Sequence, residues 1–182
     1  MKKYLLVIVT LGMVVVSSCG NDSKKNSNEP EIVEVATTEK ETYTSASTTV
    51  TFKDPKVAVV YQNYIDLKTA LVNTDAAKTA TEASNLMTAF ANVGVEEDVL
   101  RAAQTMAEGT DVEVQRTAFV TVTDAVEKML DGAIESGVIY KQYCPMAFDF
   151  EGAFWLSNSK QISNPYFGDK MLRCGKVDSE LK

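Results

Sequence analysis

The chain has 182 residues, a formal net charge of −7 and no histidine. The acidic balance argues against a nucleic-acid-binding protein, because such proteins need a basic surface against the phosphates. The absence of histidine excludes histidine-based catalytic triads, most zinc hydrolase sites and imidazole-based copper(II) sites. Any site for a soft metal ion must therefore use cysteine, methionine or carboxylate.

The first 18 residues predict a cleaved export signal. Two lysines at 2–3 precede an apolar run, 4–16, and two serines lead to Cys19. The run is shorter than the roughly 20 apolar residues that a transmembrane helix needs. The segment 17–20, Ser-Ser-Cys-Gly, resembles the lipobox of bacterial lipoproteins. That resemblance implies lipid on Cys19 and a mature chain that starts there; an ordinary signal peptide with a chance cysteine is the alternative.

The mature chain is expected to be held on a bacterial envelope membrane, at its periplasmic or outer-membrane face. Cleavage removes two lysines and no acid, which changes the net charge from −7 to −9. Lipid chains then supply the membrane affinity, about 0.8 kcal/mol per buried methylene. Residues 19–54 are interpreted as the lipidated cysteine and a flexible tether, since 20–54 are polar and lack an apolar period. Two candidate short strands, 32–35 and 48–52, lie in this tether.

Residues 55–136 predict four amphipathic helices joined by short turns. Asp54-Pro55 is a typical helix start, and Thr110 with Glu113 forms a capping box. Apolar residues recur at spacings of three and four. The predicted helices are 55–72, 76 to about 94, 96–108 and 111–136. The fold class expected is mainly α, an up-down four-helix bundle.

The last 45 residues predict a small β-hairpin with an aromatic, turn-rich tail. Residues 138–143 favour a strand and 171–177 a return strand, which would bring Cys144 and Cys174 together. Trp155, Tyr166 and Phe167 are expected to form the core of this tail, and Asn164 to cap a turn. The whole domain is expected to cover 55–178.

Four sulfur atoms are the candidate metal ligands. Cu(I) prefers thiolate and thioether sulfur, and such groups lie in two pairs, Cys144 with Met146 and Met171 with Cys174. If the two segments meet, up to four sulfurs converge, and two thiolates with one or two methionines would form the site. The alternative is a disulfide between the cysteines, worth about 2–4 kcal/mol, with the methionines as core fillers. For the resting protein the disulfide is favoured.

Two arginines have simpler interpretations. Arg116 is expected to pair with an acid across the bundle and has no catalytic role. Arg173 precedes Cys174 in the chain, and a neighbouring cation would lower the pKa of that thiol.

Several segments resemble a known family, the domain of unknown function 3347 (DUF3347). The resembling segments are 144–147, 152–156 and 164–175, with less distinctive pieces at 64–72 and 116–119. The family is common in Bacteroidetes lipoproteins and also occurs fused to periplasmic adaptor subunits of copper and silver efflux systems. The resemblance covers about 55–178. It implies an exported helical domain linked to heavy-metal resistance, without an established activity.

The resulting hypothesis is a lipoprotein that binds or hands over Cu(I) or Ag(I), with a metal-efflux or other envelope protein as partner. The alternative is a non-catalytic structural or interaction lipoprotein in which Cys144 and Cys174 form a disulfide. A thiol oxidoreductase is a third reading, weakened because the cysteines are not in a Cys-x-x-Cys arrangement. No catalytic residue is assigned, and the chain is not expected to be an enzyme.

Overall fold

The structure is a computed structural model that describes residues 42–182. The predicted export signal, the predicted lipidation site at Cys19 and most of the predicted tether, with the candidate strand at 32–35, lie outside the described residues. Within 42–182, no helix is both long enough and apolar enough to cross a membrane.

Four helices make up most of the described chain. Three of the four first turns are capped by carboxylates, since Asp54, Asp75 and Asp111 each accept a backbone N–H two or three residues ahead. The predicted helix starts are confirmed to within one residue. The helices are α1, Pro55–Val72; α2, Ala76–Val93; α3, Glu97–Glu108; and α4, Val112–Leu130.

Helix α4 ends earlier than the sequence pattern predicts, so the predicted end at 136 is wrong. Gly132 has a φ of +66°, and the chain leaves the helix there. Ile134–Ser136 instead form strand β2, which pairs antiparallel with strand β1, Thr51–Phe52. Ile134 continues the apolar period of the helix, but pairing with a distant segment overrides that local preference. The candidate strand at 48–52 is confirmed at its last two residues.

A three-stranded antiparallel sheet follows the helices. Its strands are β3, Ile139–Cys144; β4, Ala153–Ser157; and β5, Lys176–Leu181, with β3 in the centre. The predicted first strand is confirmed with a shift of one residue. The predicted return strand at 171–177 is placed too early, because the Cys174 N–H bonds locally to the Met171 carbonyl. Strand β4 was not predicted from the sequence, so the expected two-stranded hairpin has a third strand.

Tyr64 links three of these elements. Its ring stacks on Phe119 of α4, with the centroids 5.2 Å apart. Its hydroxyl lies 3.1 Å from the Thr123 hydroxyl and accepts the Leu156 N–H of β4 at 2.9 Å. Helices adjacent in sequence pack on one another, and α1 also contacts α4. The mainly helical class with a small antiparallel sheet is thus confirmed, while the up-down order of the helices stays a prediction.

Residues 43–50 pack on the domain as a strap across α1. The Tyr43 N–H donates to Asn73 Oδ1 at 2.8 Å, and Asn73 Nδ2 donates to the Tyr43 carbonyl at 2.9 Å. The Ser45 hydroxyl bonds to that of Thr69, and Val50 is buried. The packed part of the chain therefore begins before residue 55.

The strap covers a buried lysine. Lys68 is 1% exposed, and its Nζ donates to the Tyr43 hydroxyl at 3.1 Å. Burial lowers the pKa of Lys68, although Tyr43 opposes that shift. Burial alone would raise the pKa of Tyr43, but the Lys68 charge and hydrogen bonds from its neighbours give a net lowering. The pair places a lysine amine inside the protein with a phenol hydroxyl as its partner.

We expect Lys68→Met to leave the free energy of unfolding at pH 7 within about 1 kcal/mol of wild type, or to raise it, because the variant buries no cation. The folded state lowers the pKa of both Lys68 and Tyr43, so it binds fewer protons than the unfolded state. The free energy of unfolding of the wild type should therefore increase relative to that of the variant as the pH rises from 7 toward about 9.5.

Urea unfolding of both proteins across this pH range measures the difference between their free energies of unfolding. The contributions of titrating groups that are unaffected by the substitution cancel in this difference. The exposed Lys128→Met serves as the control and should follow wild type at every pH. A difference between wild type and Lys68→Met that stays constant with pH would contradict the expectation.

Candidate functional site

The structure brings Cys144 and Cys174 together. Their Sγ atoms lie 2.9 Å apart, and both residues are free cysteines. Cys144 ends the central strand β3 and is fully buried, whereas Cys174 precedes β5 and is half-buried. Because β3 and β5 are paired up to Tyr143 and Lys176, the two sulfurs meet at the same end of the sheet.

The separation of the sulfurs lies between those of two chemical states. Disulfide sulfurs are about 2.05 Å apart. Two thiolates on one metal ion sit roughly 3.5 Å or more apart, since each metal–sulfur bond is roughly 2.3 Å long. Oxidation would therefore draw the pair closer, and a metal ion would have to open it.

The surroundings keep the Cys174 thiol protonated. Burial, together with the hydrogen bond to Cys144 and the electrostatic influence of that residue, raises the pKa of Cys174 to about 11. Arg173 does not counteract this, because its guanidinium donates to the Ile162 carbonyl at 2.6 Å. The expectation that Arg173 lowers the thiol pKa is wrong: the side chain points to the neighbouring loop.

The two methionines of the predicted site flank the cysteines in the chain. Met146 follows β3 and is 37% exposed, and Met171 is half-buried with its carbonyl accepting the Cys174 N–H at 3.0 Å. Neither is a fully buried core residue. Among residues 42–182, no three carboxylate, cysteine or histidine side chains group into a metal site. Thioethers are therefore the soft groups left to complete a site built on the two thiols.

Asn164 holds the backbone of Cys174. It is fully buried, and its Nδ2 donates to the Cys174 carbonyl at 2.7 Å. Its Oδ1 accepts the N–H of Tyr166 at 2.8 Å and that of Phe167 at 3.3 Å. The turn-capping role predicted for Asn164 is confirmed, and the same side chain also positions the loop that carries Cys174.

Arg116 connects this loop to the helices. Its guanidinium is 1% exposed, and its Nε donates to the Pro165 carbonyl at 2.8 Å. Its Nη2 donates to the Leu71 carbonyl and to the Thr74 hydroxyl, at 3.3 and 3.2 Å. The predicted acid partner across the bundle is wrong, because the ion pair is with Glu113, one turn earlier in the same helix.

Aromatic rings fill the space between the loop and the sheet. Tyr166 lies 6.0 Å from Phe119 and 6.1 Å from Trp155, measured between ring centroids. Its hydroxyl donates to the Phe154 carbonyl at 2.6 Å. Trp155 and Tyr166 are buried, which confirms their predicted core role, and Phe167 is half-buried. Trp155 is the only tryptophan of the chain and lies two residues along β4 from the partner of Cys144, so its fluorescence reports on the site.

The turn after Cys144 has a left-handed backbone that the sequence did not signal. Phe148, Asp149 and Phe150 have φ values of 51°, 54° and 74°. Each such residue costs roughly 1 kcal/mol or more, since its Cβ crowds the following carbonyl. The contact of Phe148 with Tyr166, at 5.3 Å, anchors one side of the turn, and Phe150 remains 76% exposed.

Comparison with known proteins locates a family domain in the helical part. Residues 60–136 match the model of a family described as Protein of unknown function (DUF3347). The match covers less than half of the chain and supports the presence of that domain. The expected resemblance extended to residue 178, but its C-terminal segments lie beyond the matched range. No curated protein and no solved structure gave a significant match.

We expect Arg116→Met to lower the free energy of unfolding by roughly 2–4 kcal/mol, because the buried Pro165 carbonyl loses its donor and the Leu71 carbonyl keeps only backbone donors such as the Thr74 N–H. The matched control is Arg101→Met. That arginine is exposed and pairs with Glu97 in the same helix, so the loss should stay below roughly 0.5 kcal/mol. Chemical unfolding of both variants measures the difference, and equal losses would rule out a special role for Arg116.

Gly168 lies against the same guanidinium. A Cβ at this position would overlap the Thr74 Oγ1 and would lie 2.8 Å from the Arg116 Nη2. Gly132 has a similar positive φ, but its Cβ would meet nothing within 4 Å. We therefore expect Gly168→Ala to lower the melting temperature clearly more than Gly132→Ala, with about 1–3 kcal/mol of extra destabilisation from the steric conflict. Similar losses in calorimetry would show that the loop yields freely.

Proposed function

We propose that this chain is an exported lipoprotein, anchored through Cys19 to a bacterial envelope membrane, that binds or hands over Cu(I) or Ag(I). Cys144 and Cys174 are the principal ligands, and the role is in metal resistance or efflux. The single observation that carries this proposal is the contact between the two thiols, 2.9 Å apart at one end of the sheet.

The chemistry of the available donors supports a soft monovalent ion. Thiolate and thioether groups favour Cu(I) over Zn(II) when imidazole is absent, and the chain has no histidine. Binding displaces the thiol protons and opens the pair, so that the ion lies between the sulfurs. Met146 or Met171 adds a thioether ligand from its neighbouring segment.

The anchor and the partner rest on the resemblances. The lipobox-like segment around Cys19 supports attachment to an envelope membrane. The DUF3347 resemblance, with its link to copper and silver efflux adaptors, supports a metal-efflux or other envelope protein as partner. An up-down arrangement of the four helices would present the small sheet, with its thiols, as a separate layer of such a domain.

A second candidate function is a non-catalytic structural or interaction lipoprotein stapled by a Cys144–Cys174 disulfide. The observation that favours it is that the sulfurs are closer than two metal-sharing thiolates, with Cys144 fully buried. The bond would fix the loop before β5 to the central strand. Closing a loop of this size adds roughly 3–4 kcal/mol to the free energy of unfolding.

Titration of the reduced full chain with Cu(I), against a competing Cu(I) chelator, tests the proposal. The chain carries Cys19→Ser so that only the two thiols of the site remain. We expect one equivalent of Cu(I) to bind and to change the fluorescence of Trp155. The double variant Cys144→Ser, Cys174→Ser should lose the binding, Met146→Leu and Met171→Leu should weaken it, and Met129→Leu, in α4, should not.

Equal Cu(I) affinity in the reduced chain and the double cysteine variant would refute the metal-binding proposal. The second candidate function is tested by comparing the stability of the oxidised and the reduced chain. The oxidised chain should be more stable than the reduced chain by roughly 2–4 kcal/mol, and the double variant should gain nothing under oxidising conditions.

A further inference from the structure

The two thiols differ in how they can be reached. Cys144 has no exposed surface, whereas Cys174 is half-buried. A molecule arriving from solution therefore meets the Cys174 sulfur before that of Cys144. The 2.9 Å separation keeps the Cys144 sulfur within reach of the Cys174 sulfur, so it can attack that sulfur once Cys174 carries a disulfide-bonded group.

The backbone adds to this asymmetry. Cys144 is held in the central strand, where it pairs with Ala153 of β4. Cys174 lies in a loop, with its carbonyl bonded to Asn164 and its N–H to the Met171 carbonyl. The buried Cys144 sulfur is thus on a strand that is paired within the sheet. The more accessible Cys174 sulfur is on a loop that is held by the Asn164 side chain.

We propose that the pair reacts in a fixed order with a small disulfide, Cys174 first and Cys144 second, and that this exchange closes the metal site. The purpose of the exchange rests on the proposed function, but the order of the thiols rests on their placement alone. Oxidation of one pair by one donor disulfide would then block metal binding by that chain, because a disulfide offers no thiolate to a soft ion. We call this block the gate.

The exchange balances in two steps. The Cys174 thiol gives its proton to water, and its sulfur attacks one sulfur of the donor disulfide. The donor S–S bond breaks, a mixed disulfide forms on Cys174, and one half of the donor leaves and takes up a proton. Cys144 then loses its proton and attacks the Cys174 sulfur, which expels the second half as a thiol. Two electrons pass from the protein dithiol to the donor, giving one protein disulfide and two donor thiols.

The test uses the reduced full chain with Cys19→Ser and oxidised glutathione as the donor. In Cys144→Ser, the remaining Cys174 should accumulate a stable adduct of one glutathione, seen by intact mass. In Cys174→Ser, the buried Cys144 should form the adduct roughly tenfold more slowly or less. The chain with both thiols should lose the mass of two hydrogen atoms, as a disulfide forms, and retain no adduct. Equal rates in the two single variants, or a lasting adduct on the two-thiol chain, would overturn the order.

A second measurement covers the case in which a single variant fails to fold. The two-thiol chain is treated briefly with limiting iodoacetamide and then mapped by peptide mass. Label on Cys174 is expected, and preferential label on Cys144 would overturn the proposal. The Cu(I) titration separates the two proposals. An ordered exchange without Cu(I) binding refutes only the metal function, and Cu(I) binding with a random order refutes only the gate.

Discussion

The buried guanidinium of Arg116 is the interaction on which the rest of this structure depends. It bonds to the loop carbonyl of Pro165, to the end of α1 at Leu71 and to the turn at Thr74. These groups come from two segments far apart in sequence, and the Pro165 carbonyl is a buried backbone acceptor that needs a donor. A charge in the interior is tolerated because its fork of N–H groups meets several acceptors at once.

The loop that carries Cys174 is positioned by these hydrogen bonds. Pro165 is fixed by Arg116, and Asn164, the preceding residue, fixes the carbonyl of Cys174. The opposing sulfur comes from Cys144, whose place is set by the pairing of β3 with β4. The contact between the thiols is therefore supported both by the helices, through the loop, and by the sheet, in which β3 also pairs with β5.

The sequence predicted the parts that depend on local chemistry. Helix starts follow from carboxylate caps such as Asp54 and Asp75, and the meeting of the cysteines follows from a strand near each of them. The end of α4 was mispredicted because Ile134 fits both a helical period and a strand. The role of Arg116 could not be read from the chain, since backbone carbonyls distant in sequence leave no side-chain signature.

The strap gives the domain a particular point of attachment to the chain before it. On the N-terminal side of the domain, the first described hydrogen bonds are those of Tyr43 with Asn73, the C-cap residue of α1. Thr74, the next residue, bonds to Arg116, which in turn holds Pro165. Tension transmitted along the chain from that side therefore enters the domain at the α1–α2 turn, beside the arginine, and not at the first turn of α1.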